Sequence, residues 1–267
     1  MKSLIRMYLG YMRISILQQF QYPVANYFYM IVMVAEPVVY LVIWQTVARS
    51  QGGTVGGFSA GEIAAYYIVW TLVSNMNIVL TPYAWERRIQ HGRLSGELLR
   101  PVHPLHADVA YFAGWKFVMI AMWLPIAAIL ALVFQPTIKL TLGNIAAFFI
   151  ALWGGFLVRF MLQWALGMLS FWTTRVNAVF QLYFTIELLL SGRLVPLSFM
   201  PMWAQQIAAV LPFKWAFGYP IEVLLGRWTS TDILYGFVMQ TFWILLGLTL
   251  VGLIWRAGVS RFSSVGN

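Results

Sequence analysis

Six long apolar segments limit what this chain can fold into. They cover about residues 27–47, 62–82, 109–134, 145–171, 178–190 (with an extension to 195 left open) and 233–255. A helix needs about 20 apolar residues to cross a bilayer, whereas barrel strands alternate over about 10 residues, and these segments do not alternate. The sequence therefore predicts an all-α membrane protein with six transmembrane helices, forming a single domain over residues 1–267.

The composition fits a bilayer better than water. Apolar residues make up 61% of the chain and charged residues only 9%, against about 45–50% and about 25% in soluble domains. The chain has no cysteine, which excludes disulfides and cysteine-based chemistry. It also has no G-x-x-x-x-G-K-[ST] loop that would hold nucleotide phosphates. The glycine-rich "QGGTVGGF" lacks the helix-opening lysine and is interpreted as a flexible external turn.

The distribution of lysine and arginine predicts the orientation of the spans. With the N-terminus inside, eleven cations lie in the cytoplasm and five lie outside. The inside set is Lys2, Arg6, Arg13, Arg87, Arg88, Arg93, Arg100, Lys116, Arg175, Arg256 and Arg261. The outside set is Arg49, Lys139, Arg193, Lys214 and Arg227. Both termini, and the polar stretch at residues 86–108, are therefore expected in the cytoplasm.

The first 22 residues have the pattern of an amphipathic helix. At 100° per residue, Lys2, Arg6 and Arg13 fall within an arc of about 40°, and apolar residues fill a broad opposite side. Such a helix lies at the membrane surface with its cations toward the lipid headgroups. The alternative is a plain extension of the first span. The polar residues and the proline before residue 24 favour a separate interfacial helix.

Residues 192–231 are apolar but repeatedly interrupted. Gly192 opens this segment, and four prolines divide it into pieces too short to span: Pro196, Pro201, Pro212 and Pro220. Short apolar helices joined by proline turns predict a re-entrant helical hairpin, whose irregular backbone must be buried in protein or face a wet cavity. A loop resting on the membrane surface is the alternative.

The cytoplasmic stretch at residues 86–108 is long for a simple turn. Its spacing predicts a short helix with an apolar edge formed by Ile89, Leu94, Leu98 and Leu99, and Gly92 permits a bend. The prolines after Arg100 and His103 end the helix. A solvated loop that obeys the positive-inside rule would explain the arginines but not the leucines, so the pattern favours a docking element.

Two sequence stretches carry a resemblance to a known family. They are "RIQHGRLSGELLRPVHPL" and "LSGRLVPLSFMPMW", the latter continuing to "LPFKWAFGYPIEVLLG". With the six-span pattern, they resemble the membrane subunit of an ATP-binding-cassette (ABC) exporter of the type-2 permease class. More narrowly, they are similar to small bacterial permeases that are usually encoded as two unlike partners beside one ATPase.

The resemblance implies a set of roles and partners. The short cytoplasmic helix would couple to a separate ATPase, and the N-terminal helix would be a second contact with it. The implied coupling residues are Arg87, Arg88, Ile89, Gly92, Leu94, Leu98, Leu99 and Arg100. A second permease chain, unlike or identical, would complete the translocation path in the bacterial inner membrane. This chain would bind no cofactor, since ATP and Mg would sit on the ATPase.

Three ionisable residues are expected to lie at membrane depth: Glu36, Arg159 and Glu187. Each would cost about 2.5–3.5 kcal/mol at mid-membrane on insertion scales. Arg159 is therefore expected to pair with Glu36 or Glu187 inside the subunit. The alternative is that these groups line the path and touch a polar substrate.

Two other functions compete with transport. A membrane-integral enzyme acting on lipid would need a catalytic cluster, and Glu97, His103, His106 and Asp108 are the candidates, without an activating arrangement. Pro104 separates His103 from His106 and no third ligand matches them, so no metal site is predicted. The chain could also be a non-transporting membrane anchor for a cytoplasmic ATPase.

Overall fold

The computed structural model describes residues 2–21, 23–50, 52–173 and 176–262, and it is 81% helical. The helices are α1 (Lys2–Gln21), α2 (Pro23–Ser50), α3 (Ala60–Met76), α4 (Thr81–Gln90), α5 (Leu94–Leu98), α6 (Pro104–Phe134), α7 (Leu142–Gly167), α8 (Asn177–Leu190), α9 (Met202–Val210), α10 (Pro212–Ala216), α11 (Gly218–Leu224) and α12 (Ser230–Val259). Short 3-10 helices lie at Met168–Phe171 and Leu197–Phe199. Arg175, counted above among the inside cations, lies outside the described residues.

Four helical stretches among the described residues are long and apolar enough to cross a membrane. They are Ala60–Gln90, Pro104–Phe134, Leu142–Phe171 and Ser230–Val259. The predicted fifth span, α8, has only 14 residues, or about 21 Å at 1.5 Å per residue, against a hydrocarbon layer of about 30 Å. The chain is thus a multi-pass helical protein, and the count of six spans stays a prediction.

Helix α3 forms the centre of the subunit. Every described residue from 63 to 76 on this helix is buried, because α2, α6, α7 and α11 pack around it. A second apolar cluster gathers around Trp85 on α4 and Trp164 on α7, whose rings meet edge to face at 4.7 Å. The two clusters give the subunit a filled interior along its length.

The glycine-rich stretch after α2 is more ordered than the sequence indicated. Thr54–Val55 and Phe58–Ser59 pair as a two-stranded antiparallel hairpin. Gly56 and Gly57 connect the strands with φ of 54° and 78°, the left-handed conformation that two-residue hairpin turns require. The interpretation as a flexible turn was wrong, because glycine here permits a specific turn.

Helix α1 is separate from α2 and packs along α6. Tyr8 bonds His106 at 2.8 Å and Tyr111 donates to Gln18 at 2.9 Å. Arg6 and Arg13 are exposed on the other side. The contact is close at Gly114 of α6, where an added Cβ would lie 2.7 Å from the Cα of Met12.

We expect Gly114→Ala to loosen α1 from α6. The added methyl group meets backbone atoms, which cannot turn aside, so the overpacking should cost about 1–3 kcal/mol. Thermal unfolding and protease sensitivity of the first 21 residues would measure this. The matched control is Gly10→Ala on α1, where nothing lies within 4 Å, and it should leave both unchanged. Equal behaviour of the two variants would contradict the tight contact.

Candidate functional site

The helix is interrupted near the end of the predicted second span. Helix α3 ends at Met76 and α4 begins at Thr81, and we call residues 77–80 the helix break. Pro82 near the start of α4 suits the beginning of a new helix better than a helix interior. Carbonyls freed by such a break have no water partner at membrane depth, so protein donors must satisfy them.

Donors from α6 and α7 satisfy the carbonyls at the helix break. Lys116 Nζ donates to the carbonyl oxygens of Asn75 at 3.2 Å and Ile78 at 2.6 Å. Arg159 Nη1 donates to the carbonyl of Asn77. With its amide oriented to satisfy both ends, Gln163 donates to the carbonyl of Val79 at 2.8 Å. Side chains from the neighbouring helices therefore satisfy three consecutive carbonyls at the break, those of Asn77, Ile78 and Val79.

The structure pairs Arg159 with Glu187. Arg159 Nε and Nη2 each lie 2.7 Å from a carboxylate oxygen of Glu187, and both side chains are buried. Glu36 takes no part in this pair. Its carboxylate lies 3.8 Å from Arg193 and its side chain is 44% exposed. Of the two partners considered for Arg159, the structure selects Glu187, and one contact then joins α7 and α8.

The count of lysine and arginine residues on the two sides of the membrane assigned Lys116 to the wrong place. It was assigned to the cytoplasm, but it lies inside α6 and is 0% exposed. Without it, and with Arg175 kept, the count falls from eleven to ten inside cations against five outside. Its position eight residues into the third apolar segment was the signal that could have identified it. Asn75, Asn77 and Gln163, also buried, were missed as members of the same cluster.

Residues 86–108 contain the end of one helix and a second short helix instead of a single helix. Helix α4 ends at Gln90, Gly92 has φ of 63°, and α5 covers Leu94–Leu98. The left-handed glycine ends the first helix, and this separates Ile89 from the leucines that follow. The predicted continuous apolar edge was wrong for a second reason as well: Leu94 is fully buried, whereas Leu98 and Leu99 are 37% and 88% exposed.

The predicted coupling residues divide into an anchored base and an exposed tip. Arg88 is mostly buried in the base, where it forms a bidentate ion pair with Asp108 (2.6 and 2.7 Å) and a contact with Glu97 at 3.2 Å. Trp164 of α7 also donates to Asp108 at 2.9 Å. Arg88 therefore ties α4, α5 and α6 together, and its part in coupling to an ATPase stays a prediction.

The tip faces outward. We define it as Leu98, Leu99 and Arg100, all exposed, with Arg87 exposed on the neighbouring turn of α4. Arg100 reaches the hydroxyl of Tyr11 on α1 at 3.0 Å. Between α1 and this segment lies a cavity of about 540 Å³ with mixed polar and apolar walls. The N-terminal helix and the tip thus form one continuous surface.

The segment at 192–231 is packed into the subunit. Gly192 adopts φ of 83° and its carbonyl accepts from Tyr66 of α3 at 2.7 Å. Helices α10 and α11 pack on α7, and Gln240 of α12 donates to the carbonyl of Trp215 at 2.9 Å. Each proline begins or lies in the first turn of a short helix: Pro196, Pro201, Pro212 and Pro220. This burial disagrees with a loop resting on the surface.

His103 caps α6 in its neutral form. Its Nδ1 accepts from the Leu105 amide at 3.3 Å, and its ring lies 4.4 Å from that of Trp255. Burial lowers the pKa of His103 below its usual 6.5, the positive charge of His106 lowers it further, and Asp108 opposes both. Within the described residues, no group of three or more potential ligands could hold a metal ion.

Acidification should destabilise the protein through His103. Because the unfolded chain takes up the proton first, stability falls as the pH drops below about 6.5 towards the lowered folded pKa. His103→Asn keeps a capping oxygen without this titration. We expect the melting temperature to fall less between pH 7.5 and 5.5 in the variant than in the parent. An identical fall in both proteins would contradict the assignment.

The long apolar helices and the bonded helix break define a multi-pass helical membrane protein. The chain belongs to the family described as ABC-2 family transporter protein, which matches residues 30–266. It is therefore a type-2 permease, the membrane subunit of an ABC transporter, and the family associates with an ABC ATPase and is not itself catalytic. No curated protein matches the sequence.

Proposed function

We propose that this chain is half of an export permease, completed by a second permease chain and driven by a cytoplasmic ATPase that binds its tip. The observation that carries the proposal is the exposure of Leu98 and Leu99 on a segment whose base is buried. Two leucines held in water by a rigid support favour a protein partner, since their burial in a cleft would contribute about 1.5–3 kcal/mol each.

The ion pairs at the base give the tip mechanical support. Because Arg88 bonds both Glu97 on α5 and Asp108 on α6, a force on the tip moves α4, α5 and the start of α6 as one unit. ATP binding would close the ATPase and displace this unit, which is rigid-body gating supplied by contacts on the partner. ATP and Mg would be held by the ATPase and not by this chain.

The same proposal assigns positions in a bacterial inner membrane. Both termini and the tip would be cytoplasmic, α1 would lie at the inner surface, and α10 and α11 would form a re-entrant element in the outer leaflet. The corrected excess of ten inside cations over five supports this orientation. The partner permease is taken to be an unlike chain, with an identical copy as the second choice.

Cysteine labelling would test the orientation. The chain contains no cysteine, so single introduced cysteines are unique targets. Arg93→Cys beside the tip and Thr54→Cys in the hairpin both replace exposed residues. We expect a membrane-impermeant maleimide to label Thr54→Cys in intact cells and Arg93→Cys only after lysis. The reverse pattern would rule out a cytoplasmic ATPase at the tip.

Co-purification would test the partner. The chain is expressed with the ABC ATPase and any second permease encoded beside it, and it is isolated through a tag on this chain. We expect the ATPase in the purified complex, together with ATP hydrolysis. ATP-dependent accumulation of a solute in inside-out vesicles then separates a permease from a passive anchor, which would retain the ATPase but move nothing.

A further inference from the structure

Lys116 is a buried cation without a carboxylate partner of its own. None of the ion pairs formed by the described residues includes it. The nearby carboxylate of Glu187 is already bound through both oxygens by Arg159. The remaining surroundings of the ammonium are aromatic, with the rings of Trp115 and Phe156 at 4.5 and 5.6 Å. A buried ammonium is costly, so its N–H donors are expected to bond polar groups that would otherwise be unsatisfied.

The Lys116 ammonium donates hydrogen bonds to carbonyls on both sides of the point where α3 ends. The Asn75 carbonyl belongs to the last turn of α3, and the Ile78 carbonyl belongs to the helix break that leads into α4. The carbonyl end of a helix carries partial negative charge, so a cation is favourable there. One side chain from α6 therefore holds the end of α3 and the helix break together.

Lys116 lies on the same helix as the base of the tip. Asp108, which binds Arg88, precedes it by eight residues on α6, a separation of about 12 Å along the helix axis. Helix α4 is thus tied to α6 through Arg88 and Asp108, and the helix break that precedes α4 is tied to α6 through Lys116. A tilt of α4 that moves α6 must also move the carbonyls that Lys116 holds.

We propose that Lys116 is a positioning residue that sets the angle between α3 and α4 and carries movement of the tip to the central helix. This inference rests on the proposed function, because it assumes that an ATPase displaces the tip. With the ammonium in place, α3, the helix break and α6 move together. Without it, α4 pivots at residues 77–80 and the displacement ends at the break.

Spin labels on a double-cysteine variant would test this. Arg93→Cys and Thr54→Cys place labels beside the tip and beyond the far end of α3, at exposed residues. In the complete complex in nanodiscs, the distance between the labels is measured without nucleotide and with ATP plus vanadate. We expect a nucleotide-dependent shift in the parent, a similar shift in Lys116→Arg, and at most half of it in Lys116→Met, with the ATPase retained in all three.

The outcomes distinguish this inference from the proposed function. A full shift in Lys116→Met would overturn the role of Lys116 and leave the permease assignment intact. A parent complex that lacks the ATPase or shows no shift would overturn the proposed function and this inference with it. Lys139→Met, at an exposed lysine beyond the end of α6, is the matched control and should shift like the parent.

A second neutral variant covers the case in which Lys116→Met does not assemble. Lys116→Gln keeps two N–H donors on a shorter side chain, which can reach one of the two carbonyls. We expect its nucleotide-dependent shift to fall between those of the parent and a fully uncoupled complex. If Lys116→Gln shifts fully, or if Lys116→Arg fails to preserve the shift while remaining folded, the proposed positioning role is wrong.

Discussion

Glu187→Leu is expected to destabilise the protein by about 3–5 kcal/mol, because it leaves the buried guanidinium of Arg159 without its counter-ion. The lost contact is bidentate and joins α7 to α8. Glu36→Leu is the matched control, since Glu36 is 44% exposed and its contact with Arg193 is long, at 3.8 Å, beside a hydrogen bond with Tyr40. It should change stability by less than about 1 kcal/mol. Thermal unfolding in nanodiscs would measure both.

The double variant Arg159→Met/Glu187→Leu tests the origin of that loss. It removes the charge along with its partner, so most of the cost of an unpaired buried ion disappears. The carbonyl of Asn77 still loses its donor, and an unsatisfied buried acceptor costs about 1–3 kcal/mol. The double variant should therefore be more stable than Glu187→Leu alone. If the double variant is as unstable as Glu187→Leu, then Glu187 does not stabilise the protein through its ion pair with Arg159.

Exchange of the two charges is expected to fail for a structural reason. A carboxylate at position 159 would face the carbonyl of Asn77, where the guanidinium now donates a hydrogen bond. Two acceptors would then oppose each other in a buried site. The reversed pair Arg159→Glu/Glu187→Arg should therefore remain less stable than the parent.

Leu98→Asp/Leu99→Asp is expected to abolish retention of the ATPase. Removal of two leucines from an interface would cost at least about 3 kcal/mol, equivalent to roughly a 100-fold weaker affinity, and the aspartates add a desolvation cost. Both residues are exposed in the subunit, so its thermal stability should not change. ATPase recovered per mole of tagged chain is the measurement.

Leu140→Asp/Leu142→Asp supplies the matched control for the tip variant. These leucines are 56% and 84% exposed. Leu140 lies in the connection between α6 and α7 and Leu142 is the first residue of α7, so both are near the end of α6 opposite the tip. The change in side chains is the same, but the proposed ATPase surface is untouched. ATPase retention should equal that of the parent. If both double variants lose the ATPase, or if neither does, the tip is not the docking element.

Much of the helical architecture could be predicted because it depends on apolar content over long windows. The segments around 109–134, 145–171 and 233–255 coincide closely with α6, α7 and α12, since a bilayer span requires a long apolar stretch. The separate N-terminal helix could also be predicted from its cations and from the polar residues that follow them. These features need no knowledge of what packs against them.

The helix break and its donors could not be derived in the same way. The stretch Ala60–Gln90 is long and apolar enough to pass as one span, and the polar residues near position 75 are compatible with an intact helix. Lys116 is explained only by carbonyls contributed from another helix. A count of loop charges treats every lysine near a span end alike, whereas the fold places this one in the interior.

The coupling segment shows a different limit. Ile89 shares an apolar edge with Leu94, Leu98 and Leu99 only if the helix is continuous. Gly92 ends the helix with a positive φ and so separates Ile89 from the three leucines, while tertiary packing buries Leu94 and leaves Leu98 and Leu99 exposed. Glycine signals that a turn is permitted, and only the tertiary structure shows that it is used.

The filled centre of the subunit has a consequence for how any cargo can travel. Since side chains enclose α3 from every direction between residues 63 and 76, a solute crossing through one copy would have to dismantle its most densely packed helix. In the proposed pair of permease chains, conduction would instead take place at the seam between the two chains. An isolated monomer, however well folded, should then be inert as a conduit.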